Sequence, residues 1–259
     1  MTRLSSIVSF SLLSLGLLAC SGNKNIGGAN SQNSSTPGQA QGVYVGTTST
    51  GLAFDGIVLP NDKFYAIYGT TSGNLFFVCG LTTGQGTSSS GKYTANDTDF
   101  DYCGGSLITS SGTVSATYTQ GTSLNGTLTE GTNNETFSGS APASSQFNYN
   151  SAATLSSVTG SWNGSLTDGE SASITVNSAG SLTGISSTGC TFSATLTPDS
   201  SGKNFFNISL TFGASPCLLA NQSATGVGVN YLLSDGVTSQ LIAAVNSGTS
   251  FGIVFAAQR

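Results

Sequence analysis

Two short strings set 118 residues apart (160 − 42) limit what this chain can fold into: Gly42-Val43-Tyr44-Val45-Gly46 and Gly160-Ser161-Trp162-Asn163-Gly164. At the same offset, Lys63-Phe64-Tyr65-Ala66-Ile67 falls on Ser181-Leu182-Thr183-Gly184-Ile185, each just after a turn-like Asn61-Asp62 or Ala179-Gly180. Cys79 and Cys103 fall near Cys190 and Cys217 in the same way. A repeat of this length is a domain and not a solenoid unit, so the chain predicts two copies of one fold, 42–141 and 160–259, joined by a connector over 142–159. In the connector, Phe147 and Tyr149 are the residues able to dock it onto a domain. One sheet system with a shared core is the alternative organisation.

Each copy reads as all-β. Val, Ile, Thr, Tyr and Phe alternate with small polar residues, and no window after the first twenty residues carries the 3.6-residue period of a long helix. In the second copy eight candidate strands run from 161–166 to 250–257. Their separators include Asn177-Ser178-Ala179-Gly180, Asp235-Gly236 and Asn246-Ser247-Gly248. Eight short strands joined by tight turns fit an antiparallel meander that closes into a barrel and so removes its edges, with a two-sheet β-sandwich as the alternative. The first copy follows suit, with residues 84–91 (GQGTSSSG) expected as a long mobile loop.

The N-terminus holds one cation, Arg3, then an apolar run over 7–18 that closes on Leu17-Leu18-Ala19-Cys20. The run is too short to span a bilayer permanently. This ending resembles the lipobox of bacterial lipoproteins. The resemblance implies a signal peptide over 1–19, a diacylated Cys20 as the first mature residue, and membrane contact through that lipid. Ser21 is not the Asp that favours retention at the inner membrane, which implies the outer membrane. The following stretch to residue 41 is almost free of apolar side chains and predicts a flexible, lipid-anchored tether over 20–41.

With Cys20 assigned to lipid, four cysteines remain, and four allow three connectivities. In an exported chain they are expected as disulfides, and the duplicated placement selects Cys79 with Cys103 and Cys190 with Cys217, one bridge inside each copy. A zinc site is disfavoured because the chain has no His and no closely spaced Cys pair.

Charge excludes nucleic acid as a partner. After Cys20 the cations are Lys24, Lys63, Lys92, Lys203 and Arg259, too few and too scattered to track phosphates. The densest acidic cluster is Asp97, Asp99 and Asp101, a candidate Ca²⁺ set. The EF-hand pattern fails at Tyr102 and Ile108, so a solvated strand face is expected, with Phe100 and Tyr102 pointing inward. Catalysis is not expected. The absence of His removes the commonest general base, and neither a Ser-x-x-Lys signature nor a Gly-x-Ser-x-Gly elbow occurs. Asp168 and Glu170, spaced like a carboxylate pair, fall in a turn and read as solvated. No cofactor is called for.

Gly160-x-Trp162 at the head of a meander resembles the start of calycin barrels, the lipocalin and avidin-like group. That resemblance implies that Trp162 plugs one barrel end with Arg259 packed on it, and Tyr44 holds the same place in the first copy. Lipobox, polar tether and repeated eight-strand halves together resemble the layout of barrel-bearing surface lipoproteins of the transferrin-binding protein B and factor H-binding protein type. The layout implies a non-enzymatic envelope lipoprotein that binds an envelope or host protein or serves a structural role. The other reading is a calycin-like carrier of a small apolar ligand, for which small core candidates such as Ala172, Gly184, Ala194, Gly226 and Gly228 leave either a narrow filled barrel or room inside.

Overall fold

The computed structural model describes residues 39–72 and 75–259. The signal segment, Cys20 and the tether up to residue 38 lie outside the described residues.

Among the described residues, sixteen strands form two closed antiparallel barrels of eight. The first contains β1 (Gly42–Thr48), β2 (Ala53–Val58), β3 (Lys63–Ser72), β4 (Leu75–Ser89), β5 (Lys92–Asp101), β6 (Ile108–Thr119), β7 (Ser123–Glu130) and β8 (Asn133–Ser140). The second contains β9 (Gly160–Leu166), β10 (Ser171–Val176), β11 (Ser181–Ser186), β12 (Thr191–Pro198), β13 (Phe206–Phe212), β14 (Ser223–Leu232), β15 (Ser239–Ser247) and β16 (Phe251–Gln258). Within each barrel every strand pairs with its chain neighbours, and β1 closes on β8 with Val45 opposite Ser140. Likewise β16 closes on β9, with Phe255 opposite Leu166. Closed barrels, and not sandwiches, are therefore the form taken, which leaves no free edge in either sheet.

The period-2 pattern places side chains directly. In β10 the sequence SASITV buries Ala172, Ile174 and Val176 inside the barrel and leaves the serines and Thr175 outside. The repeat is obeyed strand for strand: β3 begins at Lys63 and β11 at Ser181, each the third strand of its barrel.

Residues 84–91 are not a loop. Gly84 to Ser89 complete β4, with Gly84 opposite Asp97 and Gly86 opposite Ala95 on β5. The glycines are there because the barrel is crowded at this point: a Cβ on Gly86 would lie 2.4 Å from the Tyr93 ring. The Asn61-Asp62 turn then ties the strand down, since Ser88 donates its backbone N–H and its hydroxyl to the Asp62 carboxylate at 3.0 and 2.7 Å.

Three apolar clusters result. One lines the first barrel around Tyr44, Phe64 and Tyr93, and one lines the second around Trp162, Phe206 and Leu241. The third lies between the barrels and joins Leu81 and Phe100 of the first to Phe205, Ile242 and Val254 of the second. Phe147 and Tyr149 of the connector are buried in it. Tyr149 donates its hydroxyl to the Val58 carbonyl at 3.2 Å and accepts the Asn204 N–H at 3.0 Å, so the connector is fastened to both barrels. Each sheet is thus closed on its own core, and the halves share a third. The end of the expected tether belongs to the fold: Ala40 is fully buried in the first barrel.

Candidate functional site

Both barrels are stopped at one end by the same device. Trp162, the third residue of β9, is 1% exposed and donates its indole N–H to the Val158 carbonyl at 2.8 Å. Tyr44, the third residue of β1, is fully buried and donates its hydroxyl to the Ala40 carbonyl at 2.9 Å. Ring and acceptor are four residues apart in each copy, so the chain entering the barrel folds over its own plug. Arg259 completes the second plug. Its guanidinium lies 3.9 Å from the Trp162 ring centroid and donates to the carbonyls of Thr159 at 2.9 Å and Ser157 at 3.1 Å. Among the described residues the first barrel has no such cation, and its Tyr44 hydroxyl instead accepts the Gly121 N–H at 3.3 Å.

The opposite ends carry the disulfides. Cys79 of β4 is bonded to Cys103 just beyond β5, and Cys190 just before β12 is bonded to Cys217 just beyond β13. They brace equivalent strands, the fourth and fifth of each barrel, at the rim away from the plug.

Between plug and rim each barrel is hollow. The second holds a cavity of about 460 Å³ lined by Phe192, Leu210, Phe212, Phe251 and Phe255 and reaching the exposed Leu218 at its rim. Asp168 and Glu170 line this rim as well, with Glu170 accepting from the Thr188 hydroxyl at 2.9 Å. Their β9–β10 turn therefore edges the mouth, which periodicity does not reveal.

The first cavity, about 610 Å³, has aromatic walls that include Phe54, Phe64, Tyr68 and Phe137, and acidic groups toward its rim. Here the expected solvated face is overturned. Asp97 and Asp99 are 5% and 7% exposed and face inward, while Phe100 and Tyr102 leave the barrel and pack against the second. The reason is that β5 is dry on both sides: a Cβ on Gly252 of β16 would sit 2.4 Å from the Phe100 ring, and Tyr102 donates to the Gly252 carbonyl at 2.8 Å. Asp99 accepts from the hydroxyls of Thr82 at 2.7 Å and Tyr68 at 2.9 Å, and Asp101 accepts the Cys103 N–H at 2.6 Å. Among the described residues no three His, Cys, Asp or Glu side chains converge as a metal site.

A third hollow of about 340 Å³ lies between the barrels and includes Asp55 and Tyr231, which hydrogen bond at 3.2 Å. Sequence reading missed Asp55, Tyr68, Glu130 and Tyr231. Asp55 does leave a trace, since it stands opposite Val45 and Ile67 on an outer face that a free barrel would show to water.

These carboxyls share one electrostatic condition. Burial pushes Asp97 up to about 7, helped by Glu130 and Asp99, and pushes Asp99 and Asp55 up to about 6 against the pull of their hydroxyl partners. A raised folded value means the folded protein binds protons that the unfolded chain releases. The resulting stability is complete below about pH 4 and is lost as pH rises through 6 to 7. The thermal midpoint is therefore expected to fall by roughly 5 to 10 °C between pH 4.5 and pH 8, and the fall should shrink in Asp97→Asn. A midpoint that instead rises over that interval would contradict the burial of these groups.

No family model and no curated protein matches the chain. Among solved structures it is similar to isotype 1 transferrin binding protein B from serogroup B Neisseria meningitidis, at 11% identity and a TM-score of 0.27 over 80% of this chain and 63% of that one. It thus spans less than two thirds of that protein. A protein of unknown function of the DUF3598 family from Nostoc punctiforme is similar at 14% identity and a TM-score of 0.26, over 86% of this chain and 96% of that one. Likenesses at that level carry nothing about function, and the description of the barrels rests on the strand pairing itself.

Proposed function

We propose that this chain is a non-enzymatic binding protein, held at the bacterial outer membrane by lipid on Cys20, whose barrel interiors are its receptacles. The observation that supports this best is the plan common to both barrels: a buried aromatic plug at one end, a disulfide-braced rim at the other, and a hollow between. A structural spacer has no use for two hollows of several hundred Å³. The complete absence of His, with Asp99 held by the hydroxyls of Thr82 and Tyr68, favours binding over catalysis. The phenylalanine lining of the second barrel suits a small apolar ligand, the carrier reading applied to that half.

Anchoring is tested by Cys20→Ser, which should abolish incorporation of labelled palmitate and release the protein from membranes; continued labelling would remove the anchor from the account. The receptacle is tested by native mass spectrometry of protein taken from its own membranes in mild detergent. A stoichiometric apolar small molecule is expected, and Leu210→Trp, which fills the second cavity, should displace it. Empty barrels accompanied by a stoichiometric envelope or host protein would move binding to the outer surfaces.

A further inference from the structure

The cavity of the second barrel is apolar in its depth and carries charge only at its mouth. Among its lining residues the ionisable groups are Asp168 and Glu170, both carboxylates and both on the turn between β9 and β10. Asp168 accepts the Glu170 backbone N–H at 3.0 Å, and Glu170 accepts from the Thr188 hydroxyl at 2.9 Å. These neutral donors fix the carboxylates at the mouth without cancelling their charge. Every cation among the described residues lies at the other end of the barrels. Lys63 and Lys92 open β3 and β5 beside the plug of the first barrel, Lys203 stands in the β12–β13 connection, and Arg259 covers Trp162. None of the four connections at the second mouth, 167–170, 187–190, 213–222 and 248–250, contains Lys or Arg.

Across the barrel from the acids, the 213–222 connection brings Pro216, Leu218 and Leu219 to the mouth, and the Cys190–Cys217 disulfide pins it there. The mouth therefore has one anionic side and one apolar side. Below it the wall is aromatic, with Phe212 and Phe251 edge to face at 5.9 Å. An amphiphile that enters tail first leaves its head beside the two fixed carboxylates, where a negative head meets like charge. Entering head first, the same molecule would bury a carboxylate among phenylalanines with no donor to meet it. An uncharged head meets neither penalty.

We propose that the second barrel takes an uncharged amphiphile, an apolar body with an alcohol or ester head, and that Asp168 and Glu170 at its mouth turn away the corresponding carboxylate. This rests on the receptacle reading for the second barrel and adds to it the class of head group and the residues that select it. The first cavity offers the anion no refuge, since Asp99, Asp101, Glu130 and Glu135 line it and no Lys or Arg does.

The test is displacement of the neutral fluorescent probe N-phenyl-1-naphthylamine from the mature chain at pH 8 by 1-decanol, methyl decanoate and decanoate. The alcohol and the ester should displace it, and the acid should do so at least about tenfold more weakly. The part of the probe signal lost in Leu210→Trp reports the second barrel. The double variant Asp168→Asn with Glu170→Gln keeps the rim's hydrogen-bond acceptors and removes its charge. It should strengthen decanoate at least about fivefold and leave the alcohol within about twofold. Because both changes lie on an exposed turn of the second barrel, a gain for the acid locates the filter there even if Leu210→Trp fails to fold. Decanoate as strong as decanol, an ester as weak as the acid, or no gain for decanoate in the double variant would overturn the proposal while the bound probe left the receptacle reading standing. Failure of the probe and of both neutral compounds to bind would overturn the receptacle reading for this barrel and the proposal with it.

Discussion

Replacing Trp162 with alanine is expected to cost about 3 to 5 kcal/mol and to lower the thermal midpoint by on the order of 10 °C. The ring is 1% exposed, sits in the core of the second barrel and is fixed from three directions. Its indole N–H is held by the Val158 carbonyl, its face is covered by Arg259, and Ile174 stands opposite it on β10. Removing it empties the closed end, and the strands around it cannot collapse inward without breaking their ladder. Arg259→Gln removes only the stacked cation and should cost about 0.5 to 2 kcal/mol. Tyr44→Phe keeps the ring of the other plug and loses its hydroxyl contacts, at about 1 to 2 kcal/mol. Circular dichroism melts of the three variants give the order. A Trp162→Ala loss below 1 kcal/mol would mean that the ring plugs nothing.

The second large effect is expected at the contact between the barrels. Phe100 is fully buried there, lying on the bare backbone at Gly252, and Phe100→Ala should cost about 3 to 5 kcal/mol. Gly252→Val should be at least as damaging, since a Cβ at this position would lie 2.4 Å from the buried Phe100 ring, so that ring or strand must shift. Neither substitution touches the interior of its own barrel. Their damage should therefore appear as loss of coupling between the halves, with each sheet still closed. A Phe100→Ala protein as stable as its parent would show that the third apolar cluster contributes little.

The repeat made most of the fold legible. The strings at Gly42 and Gly160 open equivalent strands, and the duplicated cysteines brace equivalent rims. What alternation leaves open is which of two faces is dry. On β5 it separates Asp97, Asp99 and Asp101 from Phe100 and Tyr102, and hydrophobicity then points the aromatics inward. The second barrel inverts that choice by supplying an apolar surface outside. Asp55 escaped notice for the same reason, because its outer position is wet on a lone barrel and enclosed once Tyr231 of the other barrel stands over it. Residues 84–91 went wrong for another: glycine makes turns, and it also lets strands approach a ring, and composition does not separate the two uses. The hollows themselves leave no local signal, since they depend on how sixteen strands close.

Differential scanning calorimetry of residues 39–259 with both disulfides intact tests most directly whether two separately closed barrels are held as one body by a common third core. A single transition with equal calorimetric and van't Hoff enthalpies is predicted, splitting into two in Phe100→Ala. Two resolved transitions in the unaltered chain would contradict it, because the barrels would then be melting as strangers to each other.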